Sequence, residues 1–329
     1  MSERAPSLPE PPSGRRRGLP LPVPLTVMAH TSRATASFGR VLTAMVTPFT
    51  ADGDLDLDGA QRLATHLVDR GNDGLVVSGT TGESPTTTDS EKERLVRAVV
   101  EAVGDRARVV AGVGTYDTHH TIELARAAEK AGAHGLLIVT PYYNKPTQEG
   151  LTAHFEAVAD AAGLPVMLYD IPGRTGTPIS TESLFRLSEH DRIIAVKDAK
   201  GDLVAGSRVI AQTDLAYYSG DDALNLAWLT HGAVGVISVV AHVAAAEYAA
   251  MVAAALRSDL PVALRIHQQL IPVVGAVMSQ ASQGAITAKA SVHALGLISS
   301  RAMRPPLFEA TDEQVAVLQA TYTAAGLAS

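Results

Sequence analysis

Eight short apolar runs, each followed by a longer stretch of helical periodicity, constrain this chain more than any other feature of it. They read "VLTAMV" from Val41, "GLVVSG" from Gly74, "RVVAGVG" from Arg108, "GLLIVT" from Gly135, "PVMLYD" from Pro165, "IIAVKD" from Ile193, "AYYSG" from Ala216 and "GVISVV" from Gly235. None alternates polar with apolar residues, which is the pattern of parallel strands covered on both faces. Eight of them in alternation with helices predict an α/β fold whose sheet closes on itself, a (β/α)8 TIM barrel. A doubly wound open sheet often brings a glycine-rich phosphate fingerprint after its first strand; "GVG" at 112–114 closes the third run and lacks the third glycine.

The intervening segments carry helix signals of their own. Thr88 to Glu91 reads as a capping box, opening a helix whose Leu95, Val96, Val99, Val100 and Val103 form one apolar stripe. Gly132 supplies a C-terminal stop for the helix that begins near Thr121. After the eighth run the chain turns alanine-rich, and "AAAEYAAMVAAAL" reads as the last barrel helix, followed by appended helices. The expected division is a barrel over 37–258 and a C-terminal helical extension over 259–329. Ahead of both, "SERAPSLPEPPSGRRRGLPLPVPLTV" is rich in proline, arginine and serine. Its alternating prolines would break the apolar helix of a signal peptide, so residues 1–36 read as a disordered tail.

Composition excludes several function classes. With 46% hydrophobic and 19% charged residues the chain has ample material for a core, and a net charge of -7 offers no basic surface for nucleic acid. Small anionic substrates need only local positive charge and stay open. The absence of cysteine rules out disulfides, thiolate zinc sites and cysteine nucleophiles, and agrees with a cytoplasmic location. The apolar run from Ala233 to Ala241 is too short to span a bilayer, and no membrane segment is expected. The 11 histidines are scattered; His119 and His120 are adjacent rather than one helical turn apart, so no metal site is expected.

In such a barrel the chemistry lies at the C-terminal ends of the strands. There stand Thr80 and Thr81, Tyr142 and Tyr143, Tyr169, Lys197, Gly220 and Ser238: hydroxyls around a single amine. Burial disfavours an ammonium group, so a lysine closing an apolar strand offers its free base. That amine attacks carbonyls, and the resulting imine draws electrons from the adjacent carbon, permitting carbon–carbon bond formation or cleavage. The competing reading is a lysine that snorkels to solvent or pairs with Asp198 or Asp202. Tyr169, one strand away, can pass protons during imine formation, or be a core tyrosine with a satisfied hydroxyl. Backbone N–H groups of Thr80 and Thr81 can converge on a carboxylate; alternatively "SGTTGES" is a plain turn whose loop amides Glu83 satisfies, and Glu83 is given no chemical role. Arg174, in "DIPGRTG", can clamp a second carboxylate with two parallel bonds, or be a surface arginine. Asp221 and Asp222 read chiefly as a helix N-cap.

Taken together, "GTTGES", "TPYYNKPTQEGL", "LYDIPGRTG", "VKDAKGD", "SGDDALNL" and "GVISVVAHVAA", in this order and at this spacing, resemble the dihydrodipicolinate synthase family of pyruvate-dependent class I aldolases. The resemblance runs from about Val41 to the C-terminal helices. It implies condensation of pyruvate with L-aspartate 4-semialdehyde on the diaminopimelate route to lysine. It further implies that Lys197 forms the imine with pyruvate, with no separate cofactor, and that Tyr169 relays protons. Thr80 would link Tyr169 to Tyr143, which reaches in from a neighbouring subunit; a homotetramer of two tight dimers follows from the same resemblance. Thr81 would hold the pyruvate carboxylate and Arg174 that of the semialdehyde, with Gly220 and Ile237 lining the pocket.

One departure bears on regulation. Lysine-inhibited members carry a histidine pair on the helix after "TTGE" and an asparagine and a glutamate after the third strand. The matching positions here are Asp89, Lys92, Tyr116 and His120, with Tyr142 retained. Lys92 would set positive charge against a cationic effector, so weak or absent lysine feedback is expected. Sialic acid and keto-sugar-acid lyases share the lysine and tyrosine, but their substrates ask for hydroxyl-binding groups rather than a second carboxylate clamp. A barrel that has lost catalysis is the remaining alternative, opposed by Lys197 and Tyr169.

Overall fold

Eight parallel strands close into a barrel in simple chain order in the computed structural model, which describes residues 33–278 and 284–327. They are β1 (Val41–Ala44), β2 (Gly74–Val77), β3 (Arg108–Gly112), β4 (Gly135–Val139), β5 (Val166–Asp170), β6 (Ile193–Asp198), β7 (Ala216–Ser219) and β8 (Gly235–Ser238), one in each predicted run. The runs do alternate, but between two apolar layers. Leu42, Val76, Val110, Leu137, Met167, Ala195, Ala216 and Ile237 belong to one cluster, inside the barrel. Their neighbours Leu75, Val77, Val109, Ile138, Leu168 and Val196 pack outward in another, under the helices. With the backbone groups taken up by the parallel ladder, a strand can bury both faces without stranding a polar group.

A helical turn at 33–38 (α1) precedes the barrel. Its Ala34 and Phe38 are fully buried, and Phe38 meets the Tyr218 ring edge-on at 6.4 Å. Tyr218 donates its hydroxyl to the Gly39 carbonyl at 2.8 Å. β2 and β8 begin with glycine because a Cβ at Gly74 or Gly235 would fall 2.2 Å from the Phe38 carbonyl or 2.1 Å from that of Arg40. Residues 33–36, assigned to the tail on composition, are therefore part of the barrel floor; the rest of the predicted tail lies outside the described residues.

The outer helices are α2 (Leu57–Asp69), α3 (Asp89–Val103), α4 (Thr118–Lys130), α5 (Gln148–Ala161), α6 (Pro172–Thr175), α7 (Thr181–Leu187), α8 (Leu203–Gln212), α9 (Asn225–Thr230) and α10 (Ala241–Leu256). α3 starts with the predicted capping box, Thr88 and Glu91 satisfying each other's backbone N–H, an arrangement worth about 1 kcal/mol. Its Leu95, Val96, Val99 and Val103 are buried and Val100 packs partly against them. Gly132 follows α4 with φ +92°, a left-handed stop.

Beyond α10 come α11 (Leu260–Val277), α12 (Gly284–Ala294) and α13 (Asp312–Ala324). Met251 of α10, Leu270 and Val273 of α11, Ala290 of α12 and Leu318 of α13 share one core with Val236 of β8, so the extension is seated on the barrel. α11 has the length and a mean hydropathy, 1.2, that by composition alone suffice to cross a bilayer, against the expectation of no membrane segment. Here it packs against α10 and α13, burying Ala263, Leu270, Val273 and Val277.

Candidate active site

Tyr169 and Lys197 face each other in the register of β5 with β6, which sends both side chains to the same face of the sheet. Lys197 Nζ lies 4.1 Å from the centroid of the Tyr169 ring, and both residues are buried. Among the described residues the amine makes no ion pair, and the carboxylates that competed for it are engaged elsewhere. Asp198 accepts the N–H groups of Lys200 and Gly201 at 3.0 and 2.8 Å, and Asp202 caps α8 through Ala205 N–H at 2.9 Å. Burial pulls the Lys197 pKa down to about 8; the Asp222 carboxylate opposes that shift and the Arg174 guanidinium adds to it. Burial pushes the Tyr169 phenol up to about 12, moderated by Arg174 and by a hydrogen bond with Thr80, so it keeps its proton at neutral pH.

The stem of Lys197 lies against the end of β7. A Cβ at Gly220 would fall 2.9 Å from both Cγ and Cε of that lysine, so only glycine leaves the stem its place. Ile237 is buried in the same inner cluster as Tyr169. Beside Tyr169 opens a cavity of about 230 Å³, whose lining includes Thr80, Gly112, Leu137, Tyr142 and Arg174. Arg174 is held there by a single helical turn, α6, with Pro172 at its start and Gly176, φ +73°, at its end. Thr81 is buried in the turn next to Thr80.

Tyr143 stands apart. It is 91% exposed with φ +72°, while its neighbour Tyr142 lines the cavity and meets the Tyr116 ring edge-on at 5.4 Å. A single chain thus gathers Lys197, Tyr169, Thr80 and Arg174, with Gly220 and Ile237 packed behind them, and leaves Tyr143 outside.

Two carboxylates differ from their sequence reading. Asp221 does cap the following turn, accepting Ala223 N–H at 3.0 Å, but Asp222 is no cap. It is buried and accepts from Ser238 Oγ, from Asn225 Nδ2 at 3.1 Å, and from the N–H groups of Val239 and Val240 at 2.9 and 3.1 Å. It thereby ties the β7 loop to the end of β8. Glu83 is also buried, and instead of satisfying its own loop's amides its carboxylate receives Lys289 Nζ and, at 3.0 Å, Arg304 N–H. Lys289, a lone lysine in "AITAKASV", carried no local signal of this pairing. Around α3, His120 Nε2 and Asp89 Oδ2 are 2.9 Å apart and Lys92 reaches the Thr87 carbonyl. No group of three or more metal-ligating side chains occurs among the described residues.

Known proteins resemble this chain in sequence and in fold. The model of the dihydrodipicolinate synthetase family matches residues 37–325. The 4-hydroxy-tetrahydrodipicolinate synthase of Acidothermus cellulolyticus is 67% identical, covering 90% of this chain and 95% of its own. Among solved structures, the dihydrodipicolinate synthase of Cyanidioschyzon merolae with lysine bound matches with TM-score 0.84 and 42% identity over 89% of this chain and 99% of that one. The chloride-inhibited dihydrodipicolinate synthase of Acinetobacter baumannii, complexed with pyruvate, matches with TM-score 0.83 and 34% identity over 88% and 99%.

Proposed function

The chain belongs to the dihydrodipicolinate synthetase family, and from there we propose that Lys197 joins pyruvate to L-aspartate 4-semialdehyde through an imine. The free amine adds to the keto carbon of pyruvate and water leaves. The imine nitrogen then draws electrons from the methyl carbon, which loses a proton and attacks the aldehyde carbon of the second substrate. The amine of that substrate closes on the imine carbon and releases Lys197, giving 4-hydroxy-tetrahydrodipicolinate for the diaminopimelate route to lysine. The covalent imine takes the place of a cofactor.

The observation that carries this reading is the buried amine of Lys197, 4.1 Å from the Tyr169 ring and, among the described residues, in no ion pair with a carboxylate. Tyr169, which lines the cavity together with Thr80, passes protons to and from the carbinolamine. Tyr143 of a second copy completes the relay; its exposure in a single chain supports that role, and with it a homotetramer of two tight dimers. Thr81 and the adjacent backbone hold the pyruvate carboxylate, Arg174 holds that of the semialdehyde, and Gly220 and Ile237 pack behind Lys197 and Tyr169. The enzyme works in the cytoplasm.

Borohydride reduction with pyruvate, followed by peptide mapping, tests the assignment: the adduct is expected on Lys197, and an adduct on Lys130, Lys145 or Lys200 overturns it. Because only the free base attacks, imine formation at subsaturating pyruvate should rise with pH and level off above about 8. Millimolar L-lysine is expected to inhibit turnover weakly or not at all, since Lys92 brings its own cation, 4.0 Å from Asp89, to the position an effector amine would approach. Strong inhibition in that titration overturns this expectation.

A further inference from the structure

We propose that the C-terminal extension shapes the active-site turn, with Lys289 and Arg304 as positioning residues for the chemistry at Lys197. The proposal rests on the reading of the site given above and adds to it two residues remote in the chain. Glu83 follows Thr80, Thr81 and Gly82 directly, and its N–H donates to the Thr80 carbonyl at 3.2 Å. Its backbone is left-handed, φ +56°, a conformation that costs a residue with a Cβ about 1–2 kcal/mol and persists only where contacts impose it.

Those contacts come from the far end of the chain. The Glu83 carboxylate meets Lys289 Nζ, 206 residues away, with both side chains all but inaccessible to solvent. Its other oxygen accepts Arg304 N–H at 3.0 Å. Lys289 also donates to the Ala302 carbonyl at 3.0 Å, fastening the segment that carries Arg304 to α12. The Arg304 guanidinium forks onto Glu91 at 2.6 and 2.8 Å and donates to the carbonyls of Gly53 and Thr86 at 2.8 and 2.9 Å. Both cations rest on one ring, Phe49, each 4.3 Å from its centroid. The whole cluster encloses the segment from Glu83 to Glu91, immediately after the two threonines.

A buried ion pair is a poor source of net stability, because an apolar pair of similar volume does as well or better. What it supplies here is direction: the two oxygens of one carboxylate are bound from two separate parts of the extension, which leaves Glu83 a single position. Thr80, whose carbonyl holds the Glu83 N–H, is then set against Tyr169.

Trapping of pyruvate by borohydride in the full-length protein, measured against pyruvate concentration, reads this coupling, with steady-state KM and kcat measured alongside. Lys289→Met is expected to raise the half-saturating pyruvate concentration by roughly tenfold or more, as removal of one partner of a buried pair does, while the adduct stays on Lys197. Arg304→Lys keeps the N–H to Glu83 but loses the fork to Glu91, and is expected to raise half-saturation by about two- to fivefold with kcat nearly unchanged. Tyr322→Phe removes the 2.6 Å contact to Ser291 elsewhere in the same helices and should lower the Tm without moving half-saturation. Half-saturation unchanged in both the Lys289 and Arg304 variants overturns the proposal, and if Lys289→Met does not fold, Arg304→Lys decides it alone. A shift in Tyr322→Phe equal to theirs overturns it as well. An adduct away from Lys197 in the unaltered protein overturns the imine assignment, and this proposal with it.

Discussion

Lys197 and Lys289 are the two buried lysines among the described residues, and each holds its amine against an aromatic ring, 4.1 Å from Tyr169 in one case and 4.3 Å from Phe49 in the other. Burial lowers the pKa of both. What separates them is the carboxylate. Glu83 is in direct contact with Lys289, whereas Asp222, whose charge acts on Lys197 through space, has both oxygens occupied by Ser238, Asn225 and the backbone that follows β8. A buried ammonium with a partner is a bolt; without one, it readily gives up its proton and becomes a nucleophile. Depth alone therefore does not set the two lysines apart; the placement of acceptors does, and it is the ground on which the imine is proposed at Lys197.

The sharpest way to break this comparison is to remove each amine in turn. Lys197→Met should abolish imine trapping and lower kcat by more than about a thousandfold, while Lys289→Met retains turnover at saturating substrate. Equal losses of kcat would erase the distinction. Tyr169→Phe keeps the ring against Lys197 but removes the relay hydroxyl, and should lower kcat by about a hundredfold or more, read by steady-state kinetics at saturating pyruvate.

The stabilities should move in opposite directions. Lys289→Met leaves Glu83 buried and unpaired and is expected to cost about 3–5 kcal/mol in urea unfolding, most of it recovered in the double variant Lys289→Met with Glu83→Gln. Lys197→Met should instead stabilise. The native pKa of Lys197, about 8, is below the ordinary 10.5, so between those pH values the unfolded chain binds more protons and native stability rises with pH. The native state is thus handicapped at pH 7 by up to about 3 kcal/mol, which the substitution relieves. The gain should shrink as pH rises from about 8 towards 10.5; a gain independent of pH would mean that packing, not charge, is its source.

Much of the site could be read before any tertiary contact was known, because a barrel with strands in chain order puts every strand end at one mouth. Lys197, Tyr169, Thr80 and Arg174 followed from that rule. Asp221 and Asp222 did not separate, since adjacent aspartates after a strand look alike until one is seen capping a turn and the other buried under β8. Residues 33–36 were lost to the tail because composition is averaged over a window, whereas the burial of Ala34 depends on the floor it meets. The partnership of Glu83 with Lys289 left no trace in any window, being 206 residues long.

From its sequence alone the chain determined where the eight strands lie and how α3 is capped, that the strands are covered on both faces, and which polar residues stand at their C-terminal ends. These are short-range properties: side-chain periodicity, capping and turn chemistry act over a few residues of contiguous backbone. Which lysine is paired, which aspartate is buried and how the last helices reach the active-site turn were decided only by the tertiary structure. A charge responds to what lies within a few ångströms of it, and in a closed barrel those neighbours come from strands and helices far apart in the chain.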